Sequence, residues 1–173
     1  MTTVARIRTP EEVALAVVAA TKAHDPDAMV ALGHPDYVDD FVPIGEKRGR
    51  EAIRSFFAEM FAAFPDFEFE AERIVADDRH AVLQWKASGT FTGGRFQGVE
   101  PTGRRVVNRG VDVMEIEDGL LRRITIYYDG LGVARAMGLL PPKGSFFERT
   151  MLFLVNLRSK LRLFFKRLFD GGR

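Results

Sequence analysis

The chain has 173 residues, no cysteine and three histidines, with 46% apolar and 28% charged residues. That length suits one domain with an appendage and that composition a folded one, while the lack of cysteine excludes disulfides, thiolate metal sites and a cysteine nucleophile. The net charge of +1 is unevenly spread: from Lys143 onward eight basic residues stand against two acidic ones, a balance of +6 that leaves −5 on residues 1–142.

The first residues, Met1 to Pro10, carry Arg6 and Arg8 with no apolar core segment behind them, so they do not read as a signal peptide and a cytoplasmic location is expected. Thr9-Pro10-Glu11-Glu12 opens a helix. The threonine can cap free N–H groups, the proline fits the first helical position, and the glutamates suit the positive end of the helix dipole. The helix should run to about Lys22, and Asp25-Pro26 starts a second, short one ending near Gly33. Residues Pro35 to Gly49 read as loop with a short extended piece around Tyr37–Val42. A third helix, about Arg50 to Phe64, sets Ile53, Phe56, Phe57, Met60, Phe61 and Phe64 along one face. That stripe is expected to pack as core, and rings such as Phe57 and Phe61 also suit a pocket wall.

Pro65 ends that helix and the period changes to two. Phe67, Phe69 and Ala71 alternate with Glu68, Glu70 and Glu72, the pattern of a half-exposed strand. Further strands are expected at about His80–Thr92, Arg104–Glu117 and Leu120–Asp129, the last two joined by a tight turn at Asp118-Gly119. Gly130–Met137 reads as a short helix, and Gly138-Leu139-Leu140-Pro141-Pro142 closes the domain. Helices followed by an antiparallel meander give an α+β fold with the helices on one face of a curved sheet. The expected division is a domain over 1–142 and a tail over 143–173.

Several segments, in order, resemble the SnoaL-like polyketide cyclases of the nuclear transport factor 2-like (ketosteroid isomerase-like) superfamily. They are Gly49-Arg50-Glu51-Ala52-Ile53-Arg54-Ser55-Phe56-Phe57, Phe64-Pro65-Asp66-Phe67, Gly89-Thr90-Phe91-Thr92-Gly93, Pro101-Thr102-Gly103-Arg104, Gly110–Gly119, and Tyr128-Asp129 followed by Met137-Gly138-Leu139-Leu140. The resemblance covers roughly residues 10–142. It implies a cone-shaped antiparallel sheet with three N-terminal helices closing a pocket for a small apolar molecule, and commonly a homodimer. Relatives include cyclases, isomerases, epoxide hydrolases, dehydratases and proteins with no known catalysis, so the fold does not fix the reaction.

Asp129 matches the aspartate that in the cyclases and epoxide hydrolases resembles a general acid–base residue. A carboxylate at the bottom of an apolar pocket is desolvated, and its raised pKa lets it move protons near neutrality. Its alternative is a cap for the helix beginning at Gly130. Asp112 lies mid-strand and corresponds to an oxyanion-hole acid of the ketosteroid isomerases; its alternative is a buried partner of Arg109 or Arg50. Asn108, Asp112, Met114 and Ile116 share one strand face and Arg109, Val111, Val113 and Glu115 the other, and the sequence leaves open which looks inward. Tyr127 and Thr125 share the strand face of Asp129 and follow it inward if it points there. Tyr37, Trp85 and Asp40 are weaker candidates, and Val113 is a ligand contact on the second register.

The aspartate–arginine–aspartate set of the epoxide hydrolases would place its arginine and first aspartate near Trp85 and Ala87, which cannot replace them. Histidines that many SnoaL-like sequences carry near Asp40 and at Phe91, and a tryptophan at Thr125, are absent. Gly93-Gly94 and Gly130-Leu131-Gly132 lack the spacing of a phosphate loop, and no Ser-His-Asp set or metal-ligand cluster is present, so no cofactor or metal is expected.

Ser145–Phe169 reads as an amphipathic helix. Phe147, Thr150, Leu154, Leu157, Leu161, Phe164 and Leu168 share one face, flanked by Arg158, Arg162 and Lys166 on one edge and Arg149, Lys160 and Arg167 on the other. Arg158 and its neighbours interrupt any membrane-spanning run. Contact with an anionic membrane surface is expected ahead of packing on the domain or a dimer, with Leu152, Val155 and Leu163 off the main face. Nucleic acid is not an expected partner. The readings are an enzyme that moves protons on an apolar carbonyl compound (a polyketide, terpenoid or steroid), a carrier or sensor of a lipophilic molecule held at the membrane, or a purely structural dimerisation module.

Overall fold

The computed structural model describes residues 7–170, with side chains to Arg162. The expectations for residues 1–6 and for the side chains of Leu163, Phe164, Lys166, Arg167 and Leu168 lie outside the described residues. The chain divides into two compact units, one through Met137 and one from Gly138.

The first unit is mixed α+β. Helix α1 (Pro10–Lys22) opens with the expected capping box: Thr9 Oγ1 accepts from Glu12 N–H at 3.2 Å, and Glu12 accepts from Thr9 N–H at 2.9 Å. Helix α2 (Pro26–Ala31) is capped by Asp25, which accepts from Ala28 N–H at 2.9 Å. Strands β1 (Gly33–Phe41) and β2 (Gly45–Arg48) follow, then α3 (Arg50–Ala63), β3 (Glu68–Ala76), β4 (His80–Thr90), β5 (Arg105–Glu117), β6 (Leu120–Tyr128) and α4 (Gly130–Met137). Asp118 and Gly119 both adopt positive φ, 51° and 74°, as a two-residue hairpin turn between β5 and β6 requires.

The six strands form one open sheet in the order β2-β1-β6-β5-β4-β3. Two features depart from the expected antiparallel meander. The loop around Gly45–Arg48 is an edge strand, β2, paired with β1; its residues, Gly-Glu-Lys-Arg, carry no apolar alternation because neither of its faces is buried. And β1 pairs with β6 in parallel, Asp39 opposite Ile124 and Phe41 opposite Ile126, so the first strand crosses over to the last. The remaining pairs are antiparallel. The outer edge, β3, is armed with Glu68, Glu70, Glu72 and Arg73, which discourages pairing with another chain.

The helices cover one face of the sheet, with α1 over β3 and β4 and α2 against α3. Val13, Ala14 and Ile53 from the helices and Leu83, Met114 and Leu121 from the strands are fully enclosed. Each large side chain so buried contributes roughly 2 kcal/mol of apolar transfer. The α3 stripe packs as expected: Phe56 and Phe57 meet edge to face at 5.4 Å, and Phe41 lies 4.5 Å from Phe56. The second unit contains α5 (Phe146–Asp170), whose first turn is capped by Ser145 Oγ accepting from Glu148 N–H at 3.2 Å.

Candidate active site

Alternation along the central strands fixes the register that the sequence left open. On β5, Val106, Asp112 and Met114 are buried while Val107, Arg109 and Glu115 are exposed. The face bearing Asp112 therefore looks into the core, and Val113 lies on the opposite face. On β6, Ile124 and Ile126 are buried and Tyr128 packs against the same cluster. Thr125 is half-buried on the other face, and Tyr127 is 51% exposed. On β1, Tyr37, Asp39 and Phe41 are all buried on one face, while Asp40 points away and pairs with Arg123 at 2.5 Å.

Two carboxyl groups thus enter the core: Asp39, 1% exposed, and Asp112, 8% exposed. Asp112 sits opposite Leu83 on β4 and Ile126 on β6. Its partner is neither Arg109, which reaches Glu72 at 3.7 Å, nor Arg50, which donates to the Gly33 carbonyl at 3.2 Å. Instead the Trp85 indole N–H donates to Asp112 Oδ1 at 2.6 Å. Gly110 makes this possible. It pairs with Trp85 across the strands, and a Cβ there would lie 2.3 Å from Trp85 Cζ2 and 2.6 Å from the Tyr127 carbonyl oxygen. With no side chain on Gly110, the indole lies across β5 and its nitrogen reaches the carboxyl two residues on.

Neither Asp39 oxygen makes a hydrogen bond of good geometry. The Tyr37 hydroxyl, on the same strand face, is near enough to favour the charged carboxylate but not to satisfy it. Burial pushes the Asp39 carboxyl up to about 7, opposed by Tyr37 and reinforced by the charge of Asp112. Burial likewise pushes Asp112 up to about 7, opposed by the Trp85 N–H. Tyr37 is held well above its usual value, first by burial and then by the Asp39 charge, and Tyr128 is raised by burial. Both carboxyls are thus pushed toward neutrality inside an apolar shell of Phe41, Phe56, Leu83, Met114, Ile124 and Ile126.

The structure brings together Asp112, Trp85 and Tyr37 from the sequence-derived set. Phe57 is half-buried against the same cluster, and Phe61 packs with Ala20 and Met29 in a neighbouring one. Asp129 is exposed and holds the other geometry weighed for it: its Oδ1 accepts from Gly132 N–H at 2.8 Å and its carbonyl from Val133 N–H at 3.0 Å, capping α4. Two residues of the buried group, Asp39 and Tyr128, were not singled out in the sequence. The signal for both was alternation: Tyr37, Asp39 and Phe41 on β1, and Ile124, Ile126 and Tyr128 on β6. A separate concavity of about 490 Å³ lies beside α1 and α2, lined by Arg8, Leu32 and a run of alanines including Ala16, Ala20 and Ala28. It holds no acid–base pair. Among the described residues no cluster of metal-ligating side chains occurs.

Known structures share this architecture. A protein from Jannaschia sp. CCS1 assigned to the SnoaL-like polyketide cyclases is 23% identical, with a TM-score of 0.68 over 79% of this chain and all of its own. TsrD from Streptomyces laurentii is 26% identical, with a TM-score of 0.65 over 75% of this chain and 95% of its own. A protein with a ketosteroid isomerase-like fold from Catenulispora acidiphila is 19% identical, with a TM-score of 0.63 over 80% of this chain. No curated protein matches the sequence. Residues 11–137, spanning both aspartate-bearing strands and every helix of the first unit, match the family described as SnoaL-like polyketide cyclase, and the chain belongs to that family.

Proposed function

We propose that this protein is a cofactor-free acid–base enzyme that enolises an apolar carbonyl compound of polyketide, terpenoid or steroid type, isomerising or cyclising it. The observation that supports this reading best is the buried pair of Asp39 and Asp112, both pushed to about 7. Asp39 feels the charge of Asp112, so ionisation of Asp112 favours the protonated form of Asp39.

The surroundings assign the roles. An indole N–H can only donate, so Trp85 favours the ionised form of Asp112. Burial holds the proton on Asp39 against the opposing Tyr37 hydroxyl, and the charge of Asp112 adds to that, so Asp39 keeps the proton. Ionised Asp112 removes a proton from the carbon beside the carbonyl. Protonated Asp39, with Tyr37 alongside, gives its proton to the carbonyl oxygen, and an enol results. Return of a proton at a different carbon isomerises the compound; attack of the enol carbon on a second carbonyl of the same molecule closes a ring. The half-buried rings of Phe57, Phe69, Phe96 and Tyr128 pack against the cluster and would wall the approach of an apolar substrate. A homodimer, which the family resemblance implies, is compatible with this chemistry and not needed for it.

The test is hydrogen exchange at the acidic carbon of an apolar 1,3-diketone in deuterated buffer, followed by NMR. Asp112→Asn and Asp39→Asn should each slow the protein-dependent exchange by about a hundredfold or more. Unchanged exchange in both variants sinks the reading. Loss in Asp129→Asn alone would return the acid–base role to that residue. A diketone that binds without any exchange would favour a carrier of lipophilic molecules.

A further inference from the structure

Helix α5 is unlike any other element of the protein. Large apolar side chains stand exposed along it, among them Phe146 at 78% and Phe153 at 64%. At about 100° per residue, Phe153, Phe146, Leu157, Leu161, Leu154 and Phe147 fall within one arc of about 120°, interrupted only by Thr150. Basic residues flank that arc: Arg158 and Arg162 on one side, with Met151 between them, and Lys160 and Arg149 on the other. Through Arg162 the helix carries these four cations against the single acid Glu148, whose carboxylate accepts from Gly144 N–H.

From this placement we infer that α5 is a monotopic anchor that lies in the surface of an anionic lipid bilayer. The apolar arc enters the boundary between headgroups and acyl chains, while the arginine and lysine stems rise along its edges to meet lipid phosphates. The one-sign flanks select this occupant. A second copy of the helix laid against the arc would set cation against cation, where paired helices place opposite charges. An anionic surface neutralises both edges at once, and each basic side chain near such a surface strengthens binding about fivefold. The helix rests on the surface rather than crossing it, because among the described residues no helix is long and apolar enough to span a membrane. The inference is independent of the chemistry at Asp39 and Asp112.

The experiment is co-flotation of the full chain with equimolar phosphatidylcholine–phosphatidylglycerol vesicles, against vesicles of phosphatidylcholine alone. The wild type should float with the anionic vesicles, be released by raised salt, and partition at least tenfold more weakly onto the neutral ones. The triple variant Arg158→Gln, Lys160→Gln, Arg162→Gln should lose about a hundredfold in partition, three fivefold factors together. The double variant Phe153→Ser, Leu157→Ser, which keeps every charge, should lose binding as well. These substitutions lie at exposed positions, and unchanged Trp85 fluorescence reports that the first unit is intact. Failure of the wild type to float with either vesicle, or equal flotation of the neutralised variant, overturns the inference. So does a lipid-free oligomer of the wild type that the Phe153 and Leu157 substitutions dissociate, since a second copy would then be the occupant.

Discussion

Asparagine in place of Asp39 keeps the shape of the side chain and removes its titration. In the folded protein the Asp39 carboxyl is pushed from 3.8 up to about 7. Three pKa units at 1.36 kcal/mol each make ionised Asp39 about 4 kcal/mol more costly in the folded protein than in the unfolded chain. Between roughly pH 4 and pH 7 the folded chain holds this proton and the unfolded chain has released it. The unfolded state therefore binds fewer protons, and wild-type stability falls as pH rises, by up to about 1.4 kcal/mol per pH unit. Asp39→Asn lacks this slope. Its stability relative to wild type should climb from pH 4 to pH 8 by up to about 4 kcal/mol, whatever constant offset the amide itself introduces. Asp112 is present in both proteins, so its own slope cancels in the difference except for the coupling between the two carboxyls. Urea titrations of the full chain at unit steps of pH supply the assay, read by the fluorescence of the single tryptophan, Trp85, which sits at the site. A stability difference that stays flat from pH 4 to pH 8 would mean that Asp39 titrates alike in the folded and unfolded states.

Replacing Trp85 with phenylalanine removes the donor that favours ionised Asp112; the acidic limb of the pH–rate profile for diketone exchange should move to higher pH, and an unmoved limb would separate Trp85 from the base. Gly110→Ala places a methyl group 2.3 Å from the indole, and overpacking of this kind should cost about 1–3 kcal/mol in urea melts and perturb the Trp85 emission. Asp129→Ala removes the α4 cap and should cost about 1 kcal/mol with diketone exchange within a few-fold of wild type; loss of exchange would contradict the buried pair.

Local chemistry made the helices readable. Thr9-Pro10-Glu11-Glu12 and Asp25-Pro26 carry their own start signals, and the structure uses each as the residue types suggest. Asp118-Gly119 and the alternation after Pro65 were equally local. The site was less legible because it depends on which way strands face. Asp112 was visible as an acid within a strand, but Val106 and Val107 are both apolar, and only the packing shows that the first is buried and the second exposed. Adjacent Asp39 and Asp40 posed the same problem: one is enclosed and the other meets Arg123. What separates them is Tyr37 and Phe41 at even spacing from Asp39, a cue too short to stand out within Pro35–Gly49. Strand β2 carried no cue, since Gly-Glu-Lys-Arg has no apolar alternation. The parallel meeting of β1 with β6 is a property of the whole chain and of no segment in it.

That meeting orders assembly in time. As the chain leaves the ribosome, residues 33–41 emerge early but their parallel neighbour, residues 120–128, is made only near the end of the first unit. Pairings so distant along the chain close slowly, because the entropy of the intervening loop is lost before any contact forms. Asp39 and Asp112 sit on the two strands that flank β6, so the environment they share is complete only once β6 has docked between them.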